Sequence, residues 1–396
     1  MNPSDDNSSL WRHSPFQRLF WAHALSLIGT GITSVALGLL AHELVGASAS
    51  VVLGVTLTIR IIVIVTCAPW VGRIADHFGS RATLLASDFM RAFVVIGFFY
   101  VEAVWQIYVL ASILNLGSAV FTPVYKALIP EMVGQKRYPR ALALGSVAYD
   151  TANIMGPALA GLLIALIGFR GGFVVDAFTF LLSAGLIFGL PRIANNAGSP
   201  SGSAKKNTTL SHGLTAMLKQ PPLRRSLFLA LQTSVSGAFV LVATVDFVKD
   251  ELQLPDSAYA WAMAVYGLGS VAGATLYAHC APRAQTRLAK GATPALIAAL
   301  GLISALPTYS VIIIAWILAG AGQSILGIRG NELLAAHSEG SERPHIYAAH
   351  FSLSHAGWGL TYPLAGFLTA GVGFQTTAWV FALLLIAVSL PAWRRT

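Results

Sequence analysis

Charge is scarce in this chain. Only 10% of its 396 residues are Asp, Glu, Lys or Arg, where a soluble domain carries about 25%. That deficit excludes an ordinary water-soluble enzyme and a disordered chain. Cysteine is almost absent. Cys67 and Cys280 are the only two, and both fall inside apolar runs. A disulfide framework is thereby excluded, and both thiols read as small inert hydrophobes. Catalytic signatures are missing as well. There is no P-loop G-x-x-x-x-G-K-[ST], no H-E-x-x-H and no G-x-S-x-G. The chain therefore reads as a non-enzyme without a cofactor, and any work it does must draw on a gradient rather than on ATP hydrolysed by itself. Met1 to Ser9 is polar and acidic. It lacks the short apolar core and cleavage site of a signal peptide, so the first helix is expected to stay as an anchor.

What the chain has in excess is apolar residues, 55% of the total. A spanning helix needs about 20 of them, so roughly a dozen spans would consume the chain. Hydrophobic runs set against turn signals give twelve segments, near 17–41, 51–71, 82–101, 105–130, 140–167, 171–190, 225–248, 258–280, 292–306, 309–334, 344–371 and 374–393. The longest interruption, 191–224, is rich in Ser, Gly, Asn, Lys and Pro. It cannot bury enough surface to fold alone and reads as a flexible linker. The expected fold class is all-α: a polytopic membrane protein with two pseudo-symmetric six-helix bundles, 1–190 and 225–396, joined by a cytoplasmic linker.

Charge placement gives the expected orientation. With both termini cytoplasmic, 19 of the 25 Lys and Arg fall on the cytoplasmic side and only Arg170 and Lys249 fall outside; Arg60, Arg91, Lys126 and Arg329 lie within spans. This is a strong positive-inside asymmetry. A missed span would invert every later loop and destroy it. The net charge of +9 thus faces an anionic leaflet rather than nucleic acid, for which no separate basic domain exists. The expected setting is the inner membrane, multi-pass, with the lipid bilayer as partner and a monomer as the working unit.

The loop after the second span reads Gly72-Arg-Ile-Ala-Asp76-His77-Phe-Gly79-Ser80-Arg81. Gly72 allows close helix approach, Gly79 a tight turn, and Asp76 can meet helix N-termini or basic groups. The loop resembles the major facilitator superfamily signature G-x-x-x-D-R-x-G-R-[RK], which Gly72, Asp76, Gly79 and Arg81 match and His77 and Ser80 do not. The resemblance implies a conformational latch, released during alternating access. Gly156-Pro157, within Asn153-Ile-Met-Gly156-Pro157-Ala-Leu-Ala-Gly161 on the fifth span, looks like the G-P-x-x-G motif of the superfamily's exporters. A helix kink there serves export or packing alone. Arg140-Ala-Leu-Ala-Leu-Gly-Ser-Val-Ala-Tyr149-Asp150 and Ala348-Ala-His350-Phe-Ser-Leu-Ser-His355, continuing to Thr361-Tyr362-Pro363-Leu-Ala-Gly366, resemble the nickel-resistance type of exporter. Its best-known members carry a histidine-rich tail that is not found after Trp393.

Ionisable groups at bilayer depth are costly and therefore functional candidates. Asp150, with Asn153 one turn on, either binds a cation or proton or forms a helix–helix hydrogen-bond pair. His350 and His355, with His345 nearer the mouth, suit nickel, cobalt or zinc, and proton exchange equally. Their spacing of five turns them about 140° apart on a regular helix. A shared metal would therefore need a ligand from another helix, for which Asp150 is the candidate. The bland alternative has both imidazoles donating to neighbouring carbonyls. Arg329 and Glu332 can pair at i, i+3 and read as a gate. Asp88 and Arg91 have the same spacing and are grouped with the latch as a neutralised pair beside the Asp76 loop. Arg60 either pairs with an acid or snorkels.

The sequence therefore predicts a proton-coupled exporter working by alternating access. The cargo expected first is a divalent transition metal, nickel or cobalt, with His350, His355 and Asp150 as its ligands. The alternative is a small organic compound, a drug or siderophore. That alternative rests on aromatic residues in the spans, Trp21, Tyr125, Tyr149, Trp261, Tyr266, Trp358 and Tyr362. A membrane sensor or scaffold that transports nothing is the remaining class.

Overall fold

Helix ends are set by glycines where the chain must turn. Gly79, at φ +83°, separates two helices by a single residue: its N–H donates to the Ala75 carbonyl and its own carbonyl accepts from Thr83 N–H. A side chain is strained in that conformation, and glycine is not. Gly168, at φ +73°, does the same inside a 51-residue helical run and splits it into two arms.

The computed structural model describes residues 14–134, 137–190, 210–338 and 343–393. Its helices are α1 (Ser14–Val45), α2 (Ala49–Phe78), α3 (Ser80–Gly97), α4 (Val104–Val133), α5 (Tyr138–Phe188), α6 (Leu210–Lys219), α7 (Pro221–Asp246), α8 (Asp256–His279), α9 (Pro282–Ala305), α10 (Tyr309–Ala336), α11 (Arg343–Val372) and α12 (Phe374–Trp393). The two arms of α5 and the other long helices correspond to the twelve spans expected. The protein is an all-α polytopic membrane protein. Among the described residues, eight stretches are individually long and apolar enough to cross a bilayer. Phe93, Leu166, Leu360 and Leu383 point out of the protein and are 63–82% exposed. In water so much outward apolar surface would drive aggregation; in hydrocarbon it is the expected lipid-facing surface.

One expectation needs correction. Part of the stretch 191–224, read as a flexible linker, is helical: α6 occupies Leu210–Lys219. Leu214 and Met217 lie three apart, on one face. They pack into an apolar cluster with Leu223, Leu227, Leu334, Ile346 and Ala349. A Cβ on Gly213 would strike the His345 carbonyl, so α6 lies directly against α11.

Contacts divide the chain into two units, one within 1–36 and 62–198, the other within 37–61 and 199–396. The first has an apolar core that includes Phe16, Leu84, Phe121, Val124, Tyr125 and Ile187. Its α1 and α5 meet backbone to backbone: a Cβ on Gly156 would lie 2.6 Å from Gly31 Cα. In the second, Phe239 of α7 packs among Trp316, Phe374 and Phe381 at ring separations of 5.0–6.1 Å. The closest helix pair there is α8 with α10. Cβ atoms on Gly269 and Gly273 would strike the backbone of Ile317 and Ala321, and one on Gly320 the backbone of Tyr266. Gly269 and Gly273 form a G-x-x-x-G pair, the spacing that lets two helix backbones touch in a membrane.

Candidate substrate site

The α8–α10 contact determines what faces the interior of the second unit. It brings Tyr266 on α8 beside Gln323 on α10, and the Tyr266 hydroxyl donates to Gln323 Oε1. Gln323 Nε2 in turn donates to the Thr233 carbonyl on α7 at 3.1 Å. Both ends of the amide are held, which fixes its orientation. One turn along α7, the missing side chain of Gly237 makes room for neighbouring groups. A Cβ there would strike the Trp358 ring and come within 2.5 Å of Gln323 Nε2. Trp358 on α11 therefore lies against the amide, and Tyr362 follows with its ring centroid 5.1 Å from that of Trp358. Three aromatic rings and one oriented amide, from three helices, converge where a fourth helix has no side chain. Large π-faces with a few fixed polar groups make a lining for an organic ring system. Glu332, the acid of α10, is committed: Arg329 Nη1 lies 3.0 Å away and the Tyr277 hydroxyl donates to it at 2.7 Å. Arg329 and Glu332 thus pair as their i, i+3 spacing allows, with Tyr277 as a third member.

The two histidines of α11 take different partners. His350 Nε2 is 3.2 Å from Ser226 Oγ, whose own proton goes to the Gly330 carbonyl at 2.7 Å. The hydroxyl oxygen is left to accept, so His350 donates from Nε2. His355 Nδ1 bonds back to the Phe351 carbonyl at 2.8 Å, and its ring lies on the Phe351 ring at 3.7 Å. The side chains of Asp150, Asn153 and Pro157 lie outside the described residues. Among the described residues, no three His, Cys, Asp or Glu side chains converge as metal ligands.

In the first unit, the latch residues separate into two groups. Gly72 and Asp76 are exposed, and nothing lies within 4 Å of a Cβ built on Gly72. Arg81 donates to the Phe188 carbonyl and its guanidinium lies 5.2 Å from the Phe188 ring centre. Asp88 and Arg91 are instead deep inside, 0% and 3% exposed. They pair with each other. Ser183 donates to Asp88 at 2.7 Å, Arg91 donates to Ser26 Oγ at 3.0 Å, and the guanidinium lies 4.4 Å from the centres of both Phe121 and Phe180. Asp176 is likewise fully buried and accepts from Thr33 and Thr179.

Sequence reasoning named Tyr266, Trp358 and Tyr362 as aromatic but did not join them. It missed Gln323 and Gly237. A lone Gln in the middle of an apolar span and the Gly269–Gly273 spacing were the available signals. Of the other aromatics, Trp21 and Trp261 point outward, about half exposed, and Tyr125 is buried in the core of the first unit. Tyr149 lies outside the described side chains.

Comparison with known proteins agrees with this architecture. Among relatives of similar sequence is the uncharacterised transporter YfiS of Bacillus subtilis (strain 168), 30% identical over 221 residues, 54% of this chain and 52% of that one. Another is the multidrug resistance protein MdtG of Proteus mirabilis (strain HI4320), 29% identical over 141 residues, 36% of this chain and 34% of that one. The chain thus spans about half, or less, of the length of these relatives. Among solved structures, a bacterial homolog of the human lysosomal transporter Spinster superposes with a TM-score of 0.72 at 14% identity, covering 98% of this chain and 97% of that one. A D-xylose–proton symporter gives 0.71 at 14%, covering 96% of each. These share the fold. The sequence profile of the Major Facilitator Superfamily matches residues 19–245 and again 227–396, nearly the whole chain in two successive copies, and the chain belongs to that superfamily of membrane transporters.

Proposed function

We propose that this protein exports a small organic compound across the inner membrane by alternating access, in exchange for protons. It works as a monomer with both termini cytoplasmic. The observation that carries this reading is the cluster of Tyr266, Gln323, Trp358 and Tyr362. Its rings provide apolar area for a planar cargo, and its fixed amide provides direction. A transition metal asks for something else: several N, O or S donors converging at short range. His350 and His355 are each bonded to a different neighbour, and the nickel or cobalt cargo expected first from the sequence finds no support among the named relatives, several of which are multidrug resistance proteins.

Around this site the other residues take supporting roles. Asp150, Asn153, His350 and His355 are the candidates for the coupling proton. Gly72, Asp76, Gly79 and Arg81 form the latch, and Asp88 with Arg91 braces the helix that follows it. Arg329 and Glu332 form a gate, and Gly156-Pro157 shapes α5 where it meets α1. The test is tolerance of cells expressing the wild type, Trp358→Ala or Gly237→Leu. The wild type is expected to raise tolerance to at least one planar organic toxicant several-fold. Both variants should lose that protection at normal membrane levels. Protection against nickel or cobalt alone, abolished in Asp150→Asn and His350→Ala, would overturn the reading.

A further inference from the structure

Asp176 has no assigned role, although an acid buried at bilayer depth is costly. It lies eight residues beyond the Gly168 kink, about 12 Å along the second arm of α5 and so within the hydrocarbon core. Helix geometry sets it in a ladder of polar groups. Asp176, Phe180 and Ser183 share one face of that arm at i, i+4 and i+7, and Ser26, Thr30 and Thr33 share a face of α1 in the same way. Rungs join the two faces. Ser183 donates to Asp88, the Arg91 guanidinium lies on the Phe180 ring and donates to Ser26, and Thr33 bonds to Asp176. Asp88 and Asp176 therefore flank Arg91 along one seam of the first unit, and all three are buried. A Cβ on Gly29 would strike both Asp176 Oδ1 and Thr179 Oγ1, so α1 lies directly against the acid.

The seam holds two carboxyl groups and one guanidinium. Arg91 pairs with Asp88. Asp176 meets the hydroxyls of Thr33 and Thr179, and makes no ion pair among the described residues. Arg18, Arg81 and Arg170 bond to carbonyls, and Lys126 is exposed. His23 of α1 is buried against the Tyr125 ring of α4 at 4.1 Å, and it shares the Phe121 ring with Arg91. Its Nδ1 has no hydrogen-bond partner. A charged imidazole there would bury an unpaired N–H beside a second cation, so the ring stays neutral. Two undescribed side chains of α5 bear on the count. Asp150 is an acid and can only add negative charge. Gly156 and Asp176 meet α1 at the same level, Gly31 and Gly29, and Arg140 lies sixteen residues before Gly156, about 24 Å along the helix. With one cation for two acids, the seam is neutral when one carboxyl is protonated, and Asp176, which lacks a cation, is that one. A hydroxyl accepts as well as donates, so Thr33 can take the carboxyl hydrogen.

We propose that Asp176 binds and releases a proton, in a site completed by Thr33, Asp88 and Arg91, and that this is the proton exchanged for cargo. The exchange deepens the proposed function and rests on it, naming a seat for the proton other than Asp150, Asn153, His350 or His355. Release leaves a carboxylate at Asp176, and Arg91 has a donor to spare, because its Nε–H has no partner. α1 leaves the first unit after Ala36. Thr33 thus stands within one turn of the point where the helix passes to the other unit. Movement of α1 during alternating access acts on the bond between Thr33 and the carboxyl.

The test is infrared difference spectroscopy of the full chain in lipid nanodiscs, which needs no cargo. Near neutral pH the wild type is expected to show the carbonyl stretch of a protonated carboxyl, and the band should move down in heavy water. Asp176→Asn, a neutral mimic of the same shape, should lose this band with an unchanged size-exclusion profile. Thr33→Val should keep the band but shift it, and it serves as well if the asparagine variant folds poorly. In membrane vesicles, ethidium, acriflavine and 2-naphthamide are the probes. Asp176→Asn should abolish the collapse of a pH gradient by any of them that collapses it in the wild type. A spectrum unchanged in both variants, a band that heavy water leaves in place, or gradient collapse that survives in Asp176→Asn overturns the proposal. Failure of the underlying reading looks different: the band behaves as described, and no aromatic probe collapses the gradient in the wild type.

Discussion

Asp88 and Arg91 show what a single residue pair commits the chain to. Each is an ion in an apolar core, and each is held by the other and by one serine. Removing either partner strands the second, which typically costs about 3–5 kcal/mol, whereas replacing both with neutral groups of similar size costs much less. Asp88→Asn and Arg91→Met are therefore each expected to lower the Tm of the purified protein sharply, and the double variant to recover a large part of the loss. Additive losses in the double variant would show that the two residues do not act as a pair. Their pairing was legible in the sequence from the i, i+3 spacing. Their depth was not, because α3 opens only four residues after Asp76 and proximity along the chain suggested a surface role. The histidines of α11 show a similar division. A spacing of five requires His350 and His355 to diverge, and they do. His355 turns back onto Phe351 of its own helix, whereas the partner of His350 depends on where α7 crosses, which α11 alone cannot specify.

At the scale of elements, hydropathy gave the helices because a bilayer admits little else: each backbone polar group must be satisfied within its own helix. Gly79 marked a boundary in the sequence as well as in the structure. Two features escaped. The linker's average composition concealed α6, whose ten residues are amphipathic within a polar stretch and gain their stability from packing against α11. The α8–α10 contact escaped because its signature is an absence of side chains. Gly273→Val tests how much depends on it. Its Cβ would lie 2.5 Å from the Ala321 carbonyl, a backbone atom that cannot turn aside. Overpacking of this kind costs about 1–3 kcal/mol. The expected result is a lower Tm together with weaker binding of aromatic probes, because Tyr266 and Gln323 are positioned by the same contact. A variant that loses stability but binds normally would separate the site from the helix pair.

For the whole molecule, the superfamily was legible and the cargo was not. Span number, charge asymmetry and the Gly72–Arg81 signature are properties of the scaffold, distributed over many residues. Cargo choice rests on a handful of side chains brought together from distant helices. Histidines and a carboxylate within spans, together with a resemblance to nickel-resistance exporters, suggested a metal, since the sequence lists ligand types without their directions. Tyr266, Gln323, Trp358 and Tyr362 span nearly a hundred residues of chain, and only the folded second unit makes them one surface.

The most direct measurement is the collapse of an imposed pH gradient in membrane vesicles turned inside out, so that the expected cytoplasmic face is accessible to added compounds. Wild-type vesicles should lose the gradient when a planar aromatic compound is added, Trp358→Ala vesicles should hold it, and nickel or cobalt salts should have no effect on either. Collapse by nickel or cobalt, with no response to any aromatic compound, would contradict the account.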